Sequence, residues 1–311
     1  SFPTAKKVEA AFLEKGQLEE LDDTGPAAGA GRKGRLLRFE PGAYRAVGVE
    51  CEGRFARVGL ADMAGGVQAR ETIELGDFAR TRDLSPLAAA IRRMCAAANG
   101  APVLGVCIGF PANLDPDAAA IVSYAAMDIQ QPTSFAQVFP AFWREVELPV
   151  YLENDANLAC EGEAFLRRGA GGAANMLYLS IGSGCGGAVR LDGKLRRGAR
   201  CRAGEVGAML LQPALGAPGR SAARETLEDA VCLAALERRF GAALRDGAQP
   251  GEASAQAMRD YLCGPLSGAV YSLVMTLDVE LCVLAGIVPG ALGMQLCTQV
   301  SEALRAALPE S

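Results

Sequence analysis

Pro149-Val-Tyr-Leu-Glu-Asn-Asp-Ala-Asn157 passes from an apolar run into an amide and a carboxylate, and Glu161-Gly-Glu163 follows. The apolar run predicts a buried strand over 149–152. Asn154 and Asp155 then open a helix that reaches about Arg168. Such a junction delivers polar side chains to the mouth of a cleft. There an amide and a carboxylate can hydrogen-bond vicinal hydroxyls, and the carboxylate can act as a base. The competing reading is that one of the two merely caps the helix.

The flanking sequence alternates in the same way. Val47–Cys51 and Phe55–Ala61 predict a hairpin closed by Asp62 and Gly65. Ser85-Pro86 starts a helix with Leu87, Ile91, Met94 and Cys95 on one face, stopped by Gly100. Val103–Ile108 reads as a buried strand ending in Gly109-Phe-Pro-Ala-Asn-Leu-Asp115, and Phe135 to Glu145 as one amphipathic helix. Met176–Ile181, a glycine turn and Ala188–Leu191 predict a second hairpin. Helices are expected over 222–277 with a polar break at 245–252, then a strand over 280–285 and a last helix over 294–307. Strands alternating with helices predict α/β layers, and two hairpins with glycine turns predict two related halves.

Three further segments bear on chemistry. In Leu179-Ser-Ile-Gly-Ser-Gly-Cys-Gly-Gly-Ala188, the amides of Gly182, Ser183 and Gly184 could cradle a phosphate, or the segment could be a plain tight hairpin. In Ala203-Gly-Glu-Val-Gly207, Glu205 has no local partner and suits a polar ligand. Glu225-Thr-Leu-Glu228 opens a helix, where carboxylates are commonplace because the helix dipole favours them.

The first 40 residues have another texture. Phe2 to Lys15 predicts a short helix with Ser1 as a possible N-cap and Val8, Phe12 and Leu13 on one stripe. An arm from Gln17, a tip over Thr24–Gly31 and a return through Arg32–Phe39 predict a β-wing. Residues 1–40 hold seven basic and seven acidic residues, but 32–38 hold Arg32, Lys33, Arg35 and Arg38 with no acid between them.

Composition narrows the function. The 311 residues carry a net charge of −5, so a generally basic nucleic-acid coat is excluded while a local patch is not. Histidine is absent, which removes His-based catalysis and His metal ligands. The 10 cysteines are scattered, the closest pair being twelve residues apart, which predicts free thiols in a reducing cytoplasm and no metal site. No apolar run is long enough for a membrane span, the start is not a signal peptide, and the missing initiator Met implies further residues upstream.

The order Asn-Asp-Ala-Asn, Gly-Ser-Gly-Cys-Gly-Gly, Asp-Gly-Lys-Leu and Ala-Gly-Glu-Val-Gly resembles the ROK family of repressors, open reading frames and sugar kinases, from Tyr44 to about Ala307. The resemblance implies an actin- and hexokinase-like, ribonuclease H-like α/β fold with two lobes around a sugar cleft. It implies that Asn154, Asp155, Glu205 and Glu228 bind the sugar, with Asp155 at the kinase-base position and Gly182, Ser183 and Gly184 as a phosphate-loop remnant. Gly109–Asp115 is similar to the family's Gly-x-Pro-Gly-x-x-Asp turn, with Ala112 for the second glycine.

The departures point away from catalysis. A kinase phosphate loop resembling Asp-Ile-Gly-Gly-Thr reads Glu50-Cys-Glu-Gly-Arg54 here, the family's site histidine is replaced by Ala208, and its zinc-binding cysteine cluster is absent. The segment before residue 43 resembles the end of the winged helix-turn-helix of ROK repressors. In that resemblance Thr4, Lys6 and Lys7 on the recognition helix, and Arg32, Lys33 and Arg35 on the wing, face DNA. The expected layout is residues 1–42 for DNA, 43–150 with about 290–311 for the first lobe, and 151–289 for the second lobe with sugar site and dimer interface. The implied protein is a cytoplasmic regulator, in its expected role a repressor, with operator DNA and a sugar or sugar-phosphate effector as partners. It is expected to be a homodimer or dimer of dimers, with no cofactor, metal or membrane. The alternatives are an ATP-dependent sugar kinase and a degenerate sugar-binding protein.

Overall fold

The computed structural model describes residues 2–24, 35–170, 172–211, 225–241, 244 and 249–308. The chain divides into two compact units, Ser1–Asp155 and Ala156–Ser311.

The first unit starts with α1 (Phe2–Glu14), which ends where expected at Gly16, a residue with φ of +65°. β1 (Leu18–Thr24) and β2 (Arg35–Phe39) follow as an antiparallel pair. The expected wing tip between them lies outside the described residues, as do Arg32 and Lys33. The pairing sets Glu19 opposite Arg38 and Glu20 opposite Leu37. Arg38 forms a salt bridge with Glu19, and Arg35 with Glu20. The basic run that has no acid within it in sequence therefore meets acids across the hairpin. Val8, Phe12 and Phe39 remain 41–51% exposed, so this segment has little core of its own.

The main sheet of this unit is built from β3 (Arg45–Glu52), β4 (Phe55–Asp62), β5 (Val67–Glu74), then, after α2 (Phe78–Thr81) and α3 (Ser85–Ala97), from β6 (Val103–Phe110). A three-stranded sheet, β7 (Asn113–Asp115), β8 (Ala120–Ser123) and β9 (Thr133–Ser134), comes next. α4 (Phe135–Val138), α5 (Pro140–Glu145) and β10 (Val150–Asn154) complete the unit. The order in the main sheet is β10-β6-β3-β4-β5, with β10 and β3 both parallel to β6. The single helix expected over 135–145 is two, because Phe139 leaves helical geometry (ψ 64°) ahead of Pro140, as residues before proline tend to do. The core gathers Phe78, Phe110, Phe135, Phe139 and Phe142, with Phe110 in edge-on contact with Phe78, Phe135 and Phe139. Each such aromatic pair contributes roughly 0.5–1.5 kcal/mol beyond its buried area.

α6 (Asp155–Leu166) opens at the last residue of the first unit. The second unit contains β11 (Met176–Ile181), β12 (Cys185–Leu191), β13 (Lys194–Arg196), α7 (Leu227–Val231), α8 (Leu233–Phe240), α9 (Glu252–Leu277), β14 (Leu281–Ala285), α10 (Ile287–Leu292) and α11 (Met294–Ala307). Its sheet runs β13-β12-β11-β14, with β14 parallel to β11. Each unit thus holds a central hairpin, a third antiparallel strand beyond it and a parallel strand on the other side. β12 starts at Cys185 rather than Ala188, because Gly186 and Gly187 join the ladder.

The expectation that residues from about 290 return to the first lobe is corrected. α11 buries Leu296 and Val300 in the same core as Met258, Leu262 and Leu266 of α9. Between those two helices Gln299 donates to Asp260 at 3.1 Å. Among the described residues no helix is long and apolar enough to cross a membrane.

Candidate functional site

In the first unit, β10 carries Asn154 to its C-terminal end, level with Phe110 of β6. The Asn154 side-chain amide donates to the carbonyl of Ala112 at 3.3 Å, and its backbone N–H donates to Glu153 Oε1 at 2.9 Å. The amide is thereby fixed to the Gly109–Asp115 turn. Asp155 stands half-buried in the first turn of α6, where the helix dipole favours a carboxylate. Its charge acts on two neighbours. The Cys51 thiol is pushed up to about 12 by burial first, then by Asp155 and Glu50. The Tyr124 hydroxyl is raised by burial, Cys51 and Asp155. Cys51 is therefore a protonated, inert thiol at neutral pH.

Glu50-Cys-Glu-Gly-Arg54 spans the end of β3 and its turn, Gly53-Arg54, into β4. Arg57 reaches both acids, with Nη1 on Glu50 at 2.6 Å and Nη2 on Glu52 at 2.7 Å. Arg54 pairs instead with Glu74 on β5 at 2.8 Å. Arg57 thus serves both Glu50 and Glu52, and Arg54 is held by a third carboxylate, Glu74.

In the second unit, residues 182–184 form the short connection between β11 and β12. Gly182 N–H donates to the Gly184 carbonyl at 2.9 Å, and the Gly182 carbonyl accepts from Leu233 N–H at 2.8 Å. Cys185 N–H donates to Glu228 Oε2 at 2.8 Å. Ser183 is exposed. A Cβ at Gly184 would stand 2.9 Å from Glu228 Oε2, so a larger residue there would displace that carboxylate from the Cys185 amide. One of the amides that were expected to cradle phosphate, Gly182 N–H, is thus satisfied from within the unit, as is the Cys185 N–H that follows them.

Glu228 lies in the first turn of α7, but it is not the cap. Thr226 and Asp229 form a reciprocal capping box, with Asp229 N–H on Thr226 Oγ1 at 3.2 Å and Thr226 N–H on Asp229 Oδ2 at 3.0 Å. Capping by Asp229 leaves Glu228 available for the glycine connection. Glu205 precedes a single 3-10 turn, Val206–Ala208, held down by buried Val206. Its residue surface is exposed, yet its carboxyl pKa is raised by loss of hydration, opposed by Arg202 and reinforced by Glu228. The Glu228 charge thus acts on the Glu205 carboxyl.

Other sequence-predicted residues have structural work. Glu161 pairs with Arg190, tying α6 to β12, and Glu163 pairs with Arg167 along α6. On α1, Thr4, Lys6 and Lys7 are exposed. Arg35 is held by Glu20. The residues that sequence reading missed are Arg57 and Glu74, whose roles come from strand register rather than from any motif. Among the described residues, no group of three or more Cys, Asp or Glu side chains is placed to hold a metal ion.

The profile of the ROK family matches residues 46–311. A glucokinase of Halalkalibacterium halodurans is 34% identical over 141 residues, which are 43% of this chain and 40% of that protein. A xylose repressor of Caldicellulosiruptor bescii is 33% identical over 105 residues, 34% of this chain and 25% of that protein. The chain thus spans less than half the length of these curated relatives. A solved ROK family transcriptional regulator, a homologue of the E. coli MLC protein, superposes with a TM-score of 0.73 at 17% identity, covering 97% of this chain and 79% of that one. A ROK hexokinase from Thermus thermophilus superposes with a TM-score of 0.63 at 26% identity, covering 85% and 89%. The neighbours share the actin- and hexokinase-like fold expected from the sequence.

Proposed function

The chain belongs to the ROK family, and from that premise we propose that it is a transcriptional regulator whose hold on operator DNA answers to a sugar or sugar phosphate. The observation that carries this reading is the β3–β4 turn. A triphosphate approaching it meets Glu50 and Glu52, already bridged by Arg57, and a bulky Arg54 drawn to Glu74. Binding there would have to break those pairs and oppose two carboxylates. The second glycine connection offers little more, since Gly182 N–H and Cys185 N–H have internal acceptors.

Two further features support a regulator. The α1–β1–β2 segment precedes the family match, and the superposed regulator covers more of this chain than the hexokinase does. Relatives include xylose repressors. In this reading α1 is a recognition helix and β1–β2 a wing, with Thr4, Lys6, Lys7, Arg32, Lys33 and Arg35 toward DNA. A homodimer then presents two reading heads to a two-fold operator. Asn154, Asp155, Glu205 and Glu228 are the residues assigned to the effector's hydroxyls.

A sugar-kinase reading is favoured by one observation, the carboxylate of Asp155 retained at the start of α6, and by curated relatives that are glucokinase and beta-glucoside kinases. One preparation separates the two. The regulator releases promoter DNA on adding the sugar and does not phosphorylate it. The kinase consumes ATP with the sugar and ignores DNA.

A further inference from the structure

Three strands of the first unit end together. Cys51 lies next to the end of β3, Phe110 ends β6 and Asn154 ends β10, with Asn154 level with Phe110. β3 and β10 both run parallel to β6, and ligands of open α/β sheets bind outside the carboxyl ends of such strands. Asn154 and Asp155 stand at that edge. A third polar side chain, which no motif marks, reaches it from β8.

That residue is Tyr124, and its placement does not involve its hydroxyl. Asn154 Nδ2 donates to the Ala112 carbonyl at 3.3 Å, and Ala112 N–H donates to the Phe110 carbonyl at 2.8 Å. The next residue, Asn113, pairs with Ser123 across β7 and β8, and its side-chain amide donates to Ser123 Oγ at 3.0 Å. Tyr124 follows directly. Its N–H donates to the Ile129 carbonyl at 2.9 Å, and its carbonyl accepts from Ile129 N–H at 3.1 Å. Its ring stands edge-on to Phe110, the centroids 5.5 Å apart. The ring is therefore fixed against the residue level with Asn154, beside the turn that holds the Asn154 amide.

The hydroxyl is left over. Tyr124 is half-buried, and its hydroxyl makes no hydrogen bond to another described residue. A packed tyrosine ordinarily finds such a partner. Burial first, then Cys51 and Asp155, raise the phenol above its ordinary 10, so it stays protonated at neutral pH and can both donate and accept. Ligand sites combine apolar lining with a few aimed polar groups, and a tyrosine edge beside an amide and a carboxylate supplies both.

We propose that Tyr124 is a specificity-determining residue of the site at Asn154 and Asp155, its hydroxyl bonding one hydroxyl of the bound sugar. The inference rests on the sugar-site reading above and adds to it a residue from a different strand pair.

The test is calorimetric titration of the parent and of Tyr124→Phe with glucose, mannose, xylose and methyl β-glucoside, and with the monodeoxy analogues of each sugar that binds. Asp155→Ala, titrated in parallel, reports on the site itself. Phe keeps the ring and its contact with Phe110, so urea unfolding of Tyr124→Phe should match the parent. The variant should bind the sugar about threefold to tenfold more weakly, the worth of one neutral hydrogen bond. That loss should vanish for one deoxy analogue, which identifies the hydroxyl that Tyr124 reads. If Tyr124→Phe binds every sugar as tightly as the parent while Asp155→Ala does not, the Tyr124 role is overturned and the sugar site stands. If Tyr124→Phe weakens the sugar and all its analogues alike, the residue acts through the fold and the inference is overturned as well. If Asp155→Ala binds as the parent does, or nothing in the panel binds, the sugar-site reading fails for these sugars and the inference falls with it.

Discussion

Glu228 Oε2 accepts the backbone N–H of Cys185 at 2.8 Å, joining the first turn of α7 to the start of β12 across 43 residues. A carboxylate from the chain itself holds the amide that directly follows the Gly182–Gly184 connection.

Glu228→Gln keeps an acceptor for that amide, whereas Glu228→Ala leaves it to solvent. Ala should lower stability by about 0.5–1.5 kcal/mol, the ordinary net worth of one hydrogen bond, with Gln within a few tenths of the parent. Urea unfolding of both variants measures it. Equal loss in both would mean the charge, not the bond, is what counts.

Phosphorylation of sugars should be negligible. The β3–β4 turn spends Arg57 on Glu50 and Glu52, and Arg54 on Glu74. A coupled ATP assay across a broad sugar panel should stay far below about 1 per second, the lower edge of ordinary turnover. A rate at or above that would establish a kinase.

Glu205 gives stability a pH dependence of known sign. Its folded pKa lies above the ordinary 4.5, raised by loss of hydration with Glu228 adding and Arg202 opposing. The folded chain therefore binds this proton more tightly than the unfolded chain. Its contribution is full below the ordinary value and declines as pH climbs through the raised one. Glu205→Gln should match the parent near pH 4 and gain on it by pH 7. Urea midpoints at the two pH values test this, and a gain confined to acid would reverse the assigned sign.

Arg259 is 3% exposed, with Nη2 on Glu252 and on Gln256 at 2.9 Å, and Nη1 on the Leu292 carbonyl at 3.3 Å. Glu252 is 81% exposed. Removing the acid strands a buried cation, whereas removing the cation strands only a solvated acid. Glu252→Ala should cost about 1–3 kcal/mol and Arg259→Met less than about 1 kcal/mol. Denaturant unfolding should show that order.

Much of this architecture is legible in sequence where one rule dominates. β3, β4, β10 and β11 have apolar patterns bounded by glycine or polar turns, and α6 starts at Asp155 as read. β5 escaped because Val67–Glu74 has no fully buried position, and the three-stranded sheet escaped because its strands are two to four residues long. The amphipathic face of α11 is visible in sequence, but its partner is not, which is why its packing on α9 had to be corrected. The same limit governs the site. Asn154, Asp155 and Glu205 announce themselves as polar residues beside glycines or at a strand end. That Glu228 meets Cys185, that Arg57 bridges Glu50 and Glu52, and that Glu19 faces Arg38 depend on register and long-range closure.

The β1–β2 pair gives the electrostatics a direct handle. Strand β1 supplies Glu19 and Glu20, which hold Arg38 and Arg35. Glu19→Gln with Glu20→Gln should free both arginines for phosphate, steepening log affinity against log salt by up to about 0.9 per new contact. An unchanged slope would place β2 away from DNA.

The regulator reading is tested most directly by fluorescence anisotropy of the full-length gene product on its own promoter DNA and on random duplex, with and without a panel of sugars and sugar phosphates. The account predicts promoter binding roughly a thousandfold or more tighter than random duplex, and a shift in that affinity when the cognate sugar is added. Equal affinity for promoter and random duplex, unmoved by every sugar, would contradict it.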